Sequence, residues 1–160
     1  MPTAHSTRSV AVDEVDTRYL ETLLGYNARR VSLAVIEVFL PRMADYKLRP
    51  VDFSVASLIV HNPGITSRQL CSTLGILPPN LVGLITALEK RGLIRKRPHP
   101  TDGRASGLHA TAAGISLMNE AEAVATALEN EVAARLTASE RMTLVRLLKK
   151  VYQDCPQPSG

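Results

Sequence analysis

Between Glu89 and Arg104 the chain places Lys90, Arg91, Arg95, Lys96, Arg97 and Arg104 against only Glu89 and Asp102. Guanidinium and ammonium groups at this density are the footprint of phosphate contact, although a solvated basic face has the same composition. The distribution of charge separates the two. The chain has 19 Lys+Arg and 15 Asp+Glu, a net charge of +4. Residues 1–48 hold six basic and six acidic groups, residues 49–110 eight and three, and residues 111–160 five and six. The whole excess therefore lies in the central third. Five of its eight cations fall between Lys90 and Arg97. Other chemistry is poorly provided for. His5, His61, His99 and His109 lack metal-ligand spacing. No glycine-rich phosphate loop and no Ser/His/Asp or Cys/His set is placed by neighbouring motifs, so neither an enzyme nor a cofactor is expected. Cys71 reads as a small core residue and Cys155 as a tail thiol.

The 160 residues make one domain, or one domain with arms. A chain this long buries roughly 70% of its unfolded surface. Only 4% of it is aromatic, so the core must be mostly aliphatic. Two cysteines build no disulfide framework, no apolar run nears the ~18 residues of a membrane span, and the N-terminus has no signal-peptide stretch. A cytoplasmic protein with no membrane contact is the expectation.

The elements around the cations read as follows. A helix runs from Asp16 to about Ala44 on a stripe of Leu20, Leu24, Asn27, Val31, Ala34, Val35 and Val38, until Pro41 kinks or ends it. Pro50 opens the next helix at its first position, and Asn62-Pro63-Gly64 stops it. Thr66 to Gln69 is a capping box for a short helix that ends at Gly75. Pro78 starts another, with Leu81, Leu84, Ile85 and Leu88 inward, which ends at Gly92. Helix, turn and helix thus occupy Thr66 to Arg91, the shape of a DNA-binding helix-turn-helix. Strands at Leu93–Pro98 and Ala105–Ala110 flank a turn cluster at 99–103, forming a basic hairpin or wing. Thr111 caps a helix to about Leu136, and Thr137 to Glu140 is a capping box for the last one.

These motifs, in this order, resemble the MarR family of bacterial winged-helix regulators. The resemblance rests on Ile65 to Leu70, Leu74-Gly75-Ile76, Leu88 to Ile94, Arg97 to Arg104, Leu108 to Gly114 and Leu136 to Glu140, and spans about 16–153. It implies a mainly α protein with a small β-wing (α+β): a winged helix-turn-helix with N- and C-terminal dimerisation helices. The divisions are a flexible arm at 1–15, a dimerisation helix at 16–48, the DNA-binding domain at 49–110, dimerisation helices at 111–153 and a flexible tail at 154–160. The expected partners are a second copy of the chain and double-stranded DNA carrying a palindromic operator. The long, nearly neutral apolar stripes of the terminal helices suit a partner helix.

In such a protein the recognition helix presents Pro78, Pro79, Asn80, Val82, Gly83 and Thr86 to the major groove. Asn80 suits adenine, while Pro79, Val82 and the Thr86 methyl suit thymine methyls. The resemblance usually puts a capping Ser where Leu77 stands, and Leu77 cannot cap. Ser67, Arg68 and Gln69 are placed to clamp a phosphate, or Ser67 and Gln69 to do no more than cap. Lys90, Arg91, Arg95 and Arg97 are assigned to the DNA, with Lys96 on the opposite face of its strand. The family's Asp-x-Arg maps onto Asp102 and Arg104, with Arg104 in the minor groove and Asp102 orienting it. Many relatives respond to small aromatic acids. Tyr19, Tyr26, Arg30, Phe53 and Met118 are the candidate ligand residues, an apolar lining with one cation. Core packing for the aromatics and a surface ion pair for Arg30 is the competing reading. The expected function is a repressor released by an aromatic carboxylate, with a weaker likeness to regulators of aromatic-acid catabolism of the nicotinate type. A redox-responsive regulator and a winged-helix scaffold acting through protein contacts are the alternatives. No metal site is expected.

Overall fold

The computed structural model describes residues 15–98 and 106–153. The chain separates into two units, residues 1–33 and 34–160. In the first, α1 (Arg18–Glu21) stops after one turn, and α2 (Leu24–Arg42) begins after a gap of two residues. The single helix expected from Asp16 is therefore broken. Side chains compete for the carbonyls that a continuous ladder would use. Thr22 Oγ donates to the Tyr19 carbonyl at 2.7 Å, and Asn27 Nδ2 to those of Glu21 and Leu23, each at 2.8 Å. The break precedes Gly25, a weak helix former.

α2 ends in the second unit, its last turn containing Pro41. There follow α3 (Pro50–His61), β1 (Ile65–Thr66), α4 (Ser67–Leu74), α5 (Pro78–Lys90), β2 (Ile94–Pro98), β3 (Ser106–Ala110), α6 (Ala112–Val132) and α7 (Ala138–Gln153). Pro50 sits at the start of α3, whose other N-terminal support is Asp52. Its carboxylate accepts from the Arg49 backbone N–H at 3.0 Å and the Arg49 Nε at 2.9 Å.

The three strands run antiparallel in the order β1-β3-β2, with Ile65 opposite Leu108 and Ile94 opposite Ala110. Sequence periodicity missed β1, because two residues cannot show a period of two. The core is aliphatic as expected: Met43, Val55, Ile59, Leu70, Leu81, Leu88, Leu108, Met118 and Leu128 are fully enclosed.

α6 starts on Thr111, whose hydroxyl accepts from the Gly114 N–H at 3.1 Å and donates to the Gly92 carbonyl at 2.7 Å. This ties the helix to the chain leaving α5. Gly114 is buried here and must be glycine, because a Cβ would overlap the Leu93 carbonyl oxygen. α6 ends at Val132, four residues earlier than expected, and the chain turns through Leu136 into the capping box of α7. There Glu140 Oε2 accepts from the Thr137 N–H and hydroxyl, both at 2.8 Å. No residue of α7 is buried.

Candidate nucleic-acid interface

The helix-turn-helix is built from its caps. At the start of α4, Thr66 Oγ accepts from the Gln69 N–H, and Gln69 Oε1 accepts from the Thr66 N–H at 2.9 Å. At its end Gly75 takes a left-handed φ of 63°, which only a residue without a Cβ adopts cheaply. Ile76 and Leu77 complete the turn. α5 then leaves at 117° to α4, within the usual range for this motif. Leu77 occupies the capping position of α5 with no side-chain cap, so the prolines at 78 and 79 carry the start.

α5 buries Leu81, Leu84, Ile85 and Leu88 and exposes Pro78, Pro79, Asn80, Val82, Gly83, Thr86 and Lys90. The expected base-facing residues thus share the uncovered side. Ser67, Arg68 and Gln69 are exposed on the first turn of α4, where Gln69 Oε1 is already committed to the cap. On β2, Lys96 Nζ pairs with Glu89 Oε2 at 2.8 Å, at the end of α5. The period of two leaves Arg95 and Arg97 together on the other side of the strand, both exposed.

Arg91 has a different engagement from the phosphate contact expected of it. Its two terminal nitrogens donate to the Tyr46 carbonyl at 2.6 Å and the Lys47 carbonyl at 2.9 Å. Lys47 itself has a positive φ of 52° in the turn between α2 and α3. Arg91 therefore fastens the end of α5 to that turn, a role no local motif announces because the partners lie over forty residues away. Asp102 and Arg104, the wing pair, lie outside the described residues, as do His99 and the rest of the hairpin tip.

The ligand candidates are not gathered into one lining by what is described. Tyr19, 76% exposed, half-buried Tyr26 and exposed Arg30 belong to the first unit. In the second, Phe53 meets Phe39 edge-on with ring centres 5.7 Å apart. Met118 instead lines a small apolar cavity with Ala56, Val60, Leu93, Ile94, Ala110, Gly114 and Leu117.

One polar cluster was not foreseen. Glu122 of α6 accepts from Ser57 Oγ at 2.7 Å and meets His61 Nε2 at 2.9 Å, both on α3. The carboxylate stands between hydroxyl and imidazole, so the imidazole does not reach the serine, and the cluster clips α6 to α3. Among the described residues no three His, Cys, Asp or Glu side chains converge on a metal position. Nor is any single described helix long and apolar enough to cross a membrane.

Comparison with known proteins bears on this geometry. Residues 46–105 match the MarR family. The chain is 30% identical over 139 residues to the transcriptional regulatory protein named for the hcr operon of Thauera aromatica, covering 86% of this chain and 84% of that one. It is similar in structure to the transcriptional repressor CouR bound to a 23-mer DNA duplex, with a TM-score of 0.80 and 36% identity over 87% of this chain and 99% of that one. A MarR family protein of Mycobacterium tuberculosis in complex with salicylic acid matches with a TM-score of 0.66 and 27% identity, over 81% of this chain and 96% of that one. With its winged helix-turn-helix and the match to the Thauera regulator along most of its length, the chain belongs to the MarR family of DNA-binding transcriptional regulators.

Proposed function

We propose that two copies of this chain bind a palindromic operator as a repressor and leave it when a small aromatic carboxylate binds. The observation that carries this reading is the uncovered base-facing side of α5 set among exposed cations, in a fold that CouR uses on DNA. The α4 start, through Ser67, Arg68 and Gln69, holds a phosphate. Asn80 and Thr86 meet base edges, Lys90, Arg95 and Arg97 follow the backbone, and Arg104, oriented by Asp102, enters the minor groove. Work on operator DNA puts the protein in the cytoplasm.

The ligand half of the proposal draws on the relative that binds salicylic acid. Such an acid shifts the DNA-competent state only if it prefers another arrangement of the dimer. Cys71 packs against the core, which favours ligand over thiol oxidation as the signal. The test is a shift assay at fixed salt. Arg104→Ala is expected to weaken binding to every duplex, and Asn80→Ala to relax sequence preference. If both variants bind as the parent does, the contact scheme fails. A thermal-shift screen against aromatic acids tests the ligand, since a binder of the folded state raises its melting temperature.

A further inference from the structure

Over its first three turns, α5 shows solvent a side without charge. Pro78, Pro79, Asn80, Val82, Gly83 and Thr86 are exposed there, and Leu77, just before the helix, is 67% exposed. A solvent-facing helix side is ordinarily charged or polar. The surroundings of this one are: Arg68, Lys90, Arg95 and Arg97 are all exposed.

Gly83 sits in the middle of this side. Glycine weakens a helix interior, so its place there needs a reason. Two usual reasons fail. Its φ is not positive, and a Cβ built on it would meet nothing within 4 Å. The space is not used by any described residue. On a helix surface the neighbours of position 83 are Pro79 at i−4, Asn80 at i−3, Thr86 at i+3 and Ala87 at i+4, with Val82 beside it. The missing side chain thus leaves a methyl-sized dent whose rim is apolar or methyl-bearing except at Asn80.

We propose that this dent seats the 5-methyl group of a thymine, so that α5 reads its operator partly by close apolar approach. The inference rests on the DNA-binding reading above. Thymine alone among the four bases carries a methyl on its major-groove edge. The exposed cations on α4, α5 and β2 select a polyanion as the occupant over an apolar protein segment.

The experiment starts from duplexes selected by the protein out of a random-sequence pool. Each dT of the selected half-site is replaced in turn by dU, which pairs identically and lacks only the methyl. At one or two positions binding should weaken roughly fourfold per methyl, the value of one buried methyl group. Gly83→Ala should melt about 1–4 °C higher, because alanine is the better helix former. The same variant should bind the selected duplex more weakly, with unchanged affinity for unselected DNA, and should no longer distinguish dT from dU. Equal binding of all dU duplexes overturns the inference and leaves the DNA reading standing, as does a Gly83→Ala protein that binds like the parent. A pool in which no sequence is enriched overturns the DNA reading itself.

Discussion

α5 and α7 both leave apolar side chains in solvent, but only α5 has a buried side to hold it. α5 packs Leu81, Leu84, Ile85 and Leu88 into the core and keeps a narrow uncovered stripe. α7 buries nothing, and Met142, Leu144, Val145, Leu147, Val151 and Tyr152 are all exposed. A stripe that long costs solvation unless something covers it. The difference teaches that one helix is finished by its own chain and the other is not; in the function proposed above, α5 offers its small stripe to DNA and α7 is the side that waits for a second copy.

Placing a charge on the waiting side is the strongest way to break this comparison. Leu147→Asp should convert the dimer to monomer in sedimentation and reduce operator binding by about 10²-fold or more, since two linked half-sites become one. If the variant stays dimeric, α7 is not the waiting side. Next comes the seam that joins the reading head to α6. Gly114→Ala forces a Cβ against the Leu93 carbonyl and should cost about 1–3 kcal/mol in denaturant unfolding, the usual toll of overpacking.

Arg91 and Lys90, adjacent in sequence, sharpen the picture of the α5 side. Lys90→Ala should lower the slope of log affinity against log salt by about one per lost phosphate contact. Arg91→Ala should weaken specific binding by loosening α5 from the Tyr46–Lys47 turn while leaving that slope unchanged. A reduced slope for Arg91→Ala would make it a phosphate ligand after all.

The smallest effect concerns the cap of α7. Hydrogen bonds from the Thr137 backbone and hydroxyl hold the Glu140 carboxyl below its ordinary value of 4.5. A depressed folded pKa means that its contribution is complete above the unfolded value and is lost as pH falls through the folded one. Helicity of α7 by circular dichroism should therefore fall slightly below pH 4.5, and Glu140→Gln should remove that dependence.

Local rules account for what was legible. Thr66 with Gln69, Gly75, Thr111, and Thr137 with Glu140 each satisfy groups within four residues of themselves, and Pro78 brings no N–H that would need a partner. The inward set of α5 follows from a helical period, so its outward set, most of the candidate interface, was legible too. The short β1 had no period to read, and the break at Thr22–Leu23 came from side chains outbidding the helical ladder, which hydrophobic spacing does not register.

The sequence by itself determined the helix-turn-helix, the location of the charge in the central third and the uncapped start of α5, because caps, periods and charge runs are local quantities. Only the tertiary structure decided that Arg91 ties α5 to the turn after α2, that Lys96 belongs to Glu89, that Glu122 bridges Ser57 and His61, and that no described residue occupies the space at Gly83. Each of these depends on groups brought together by packing across turns and long loops, and no spacing along the chain encodes which of many possible partners a side chain will meet.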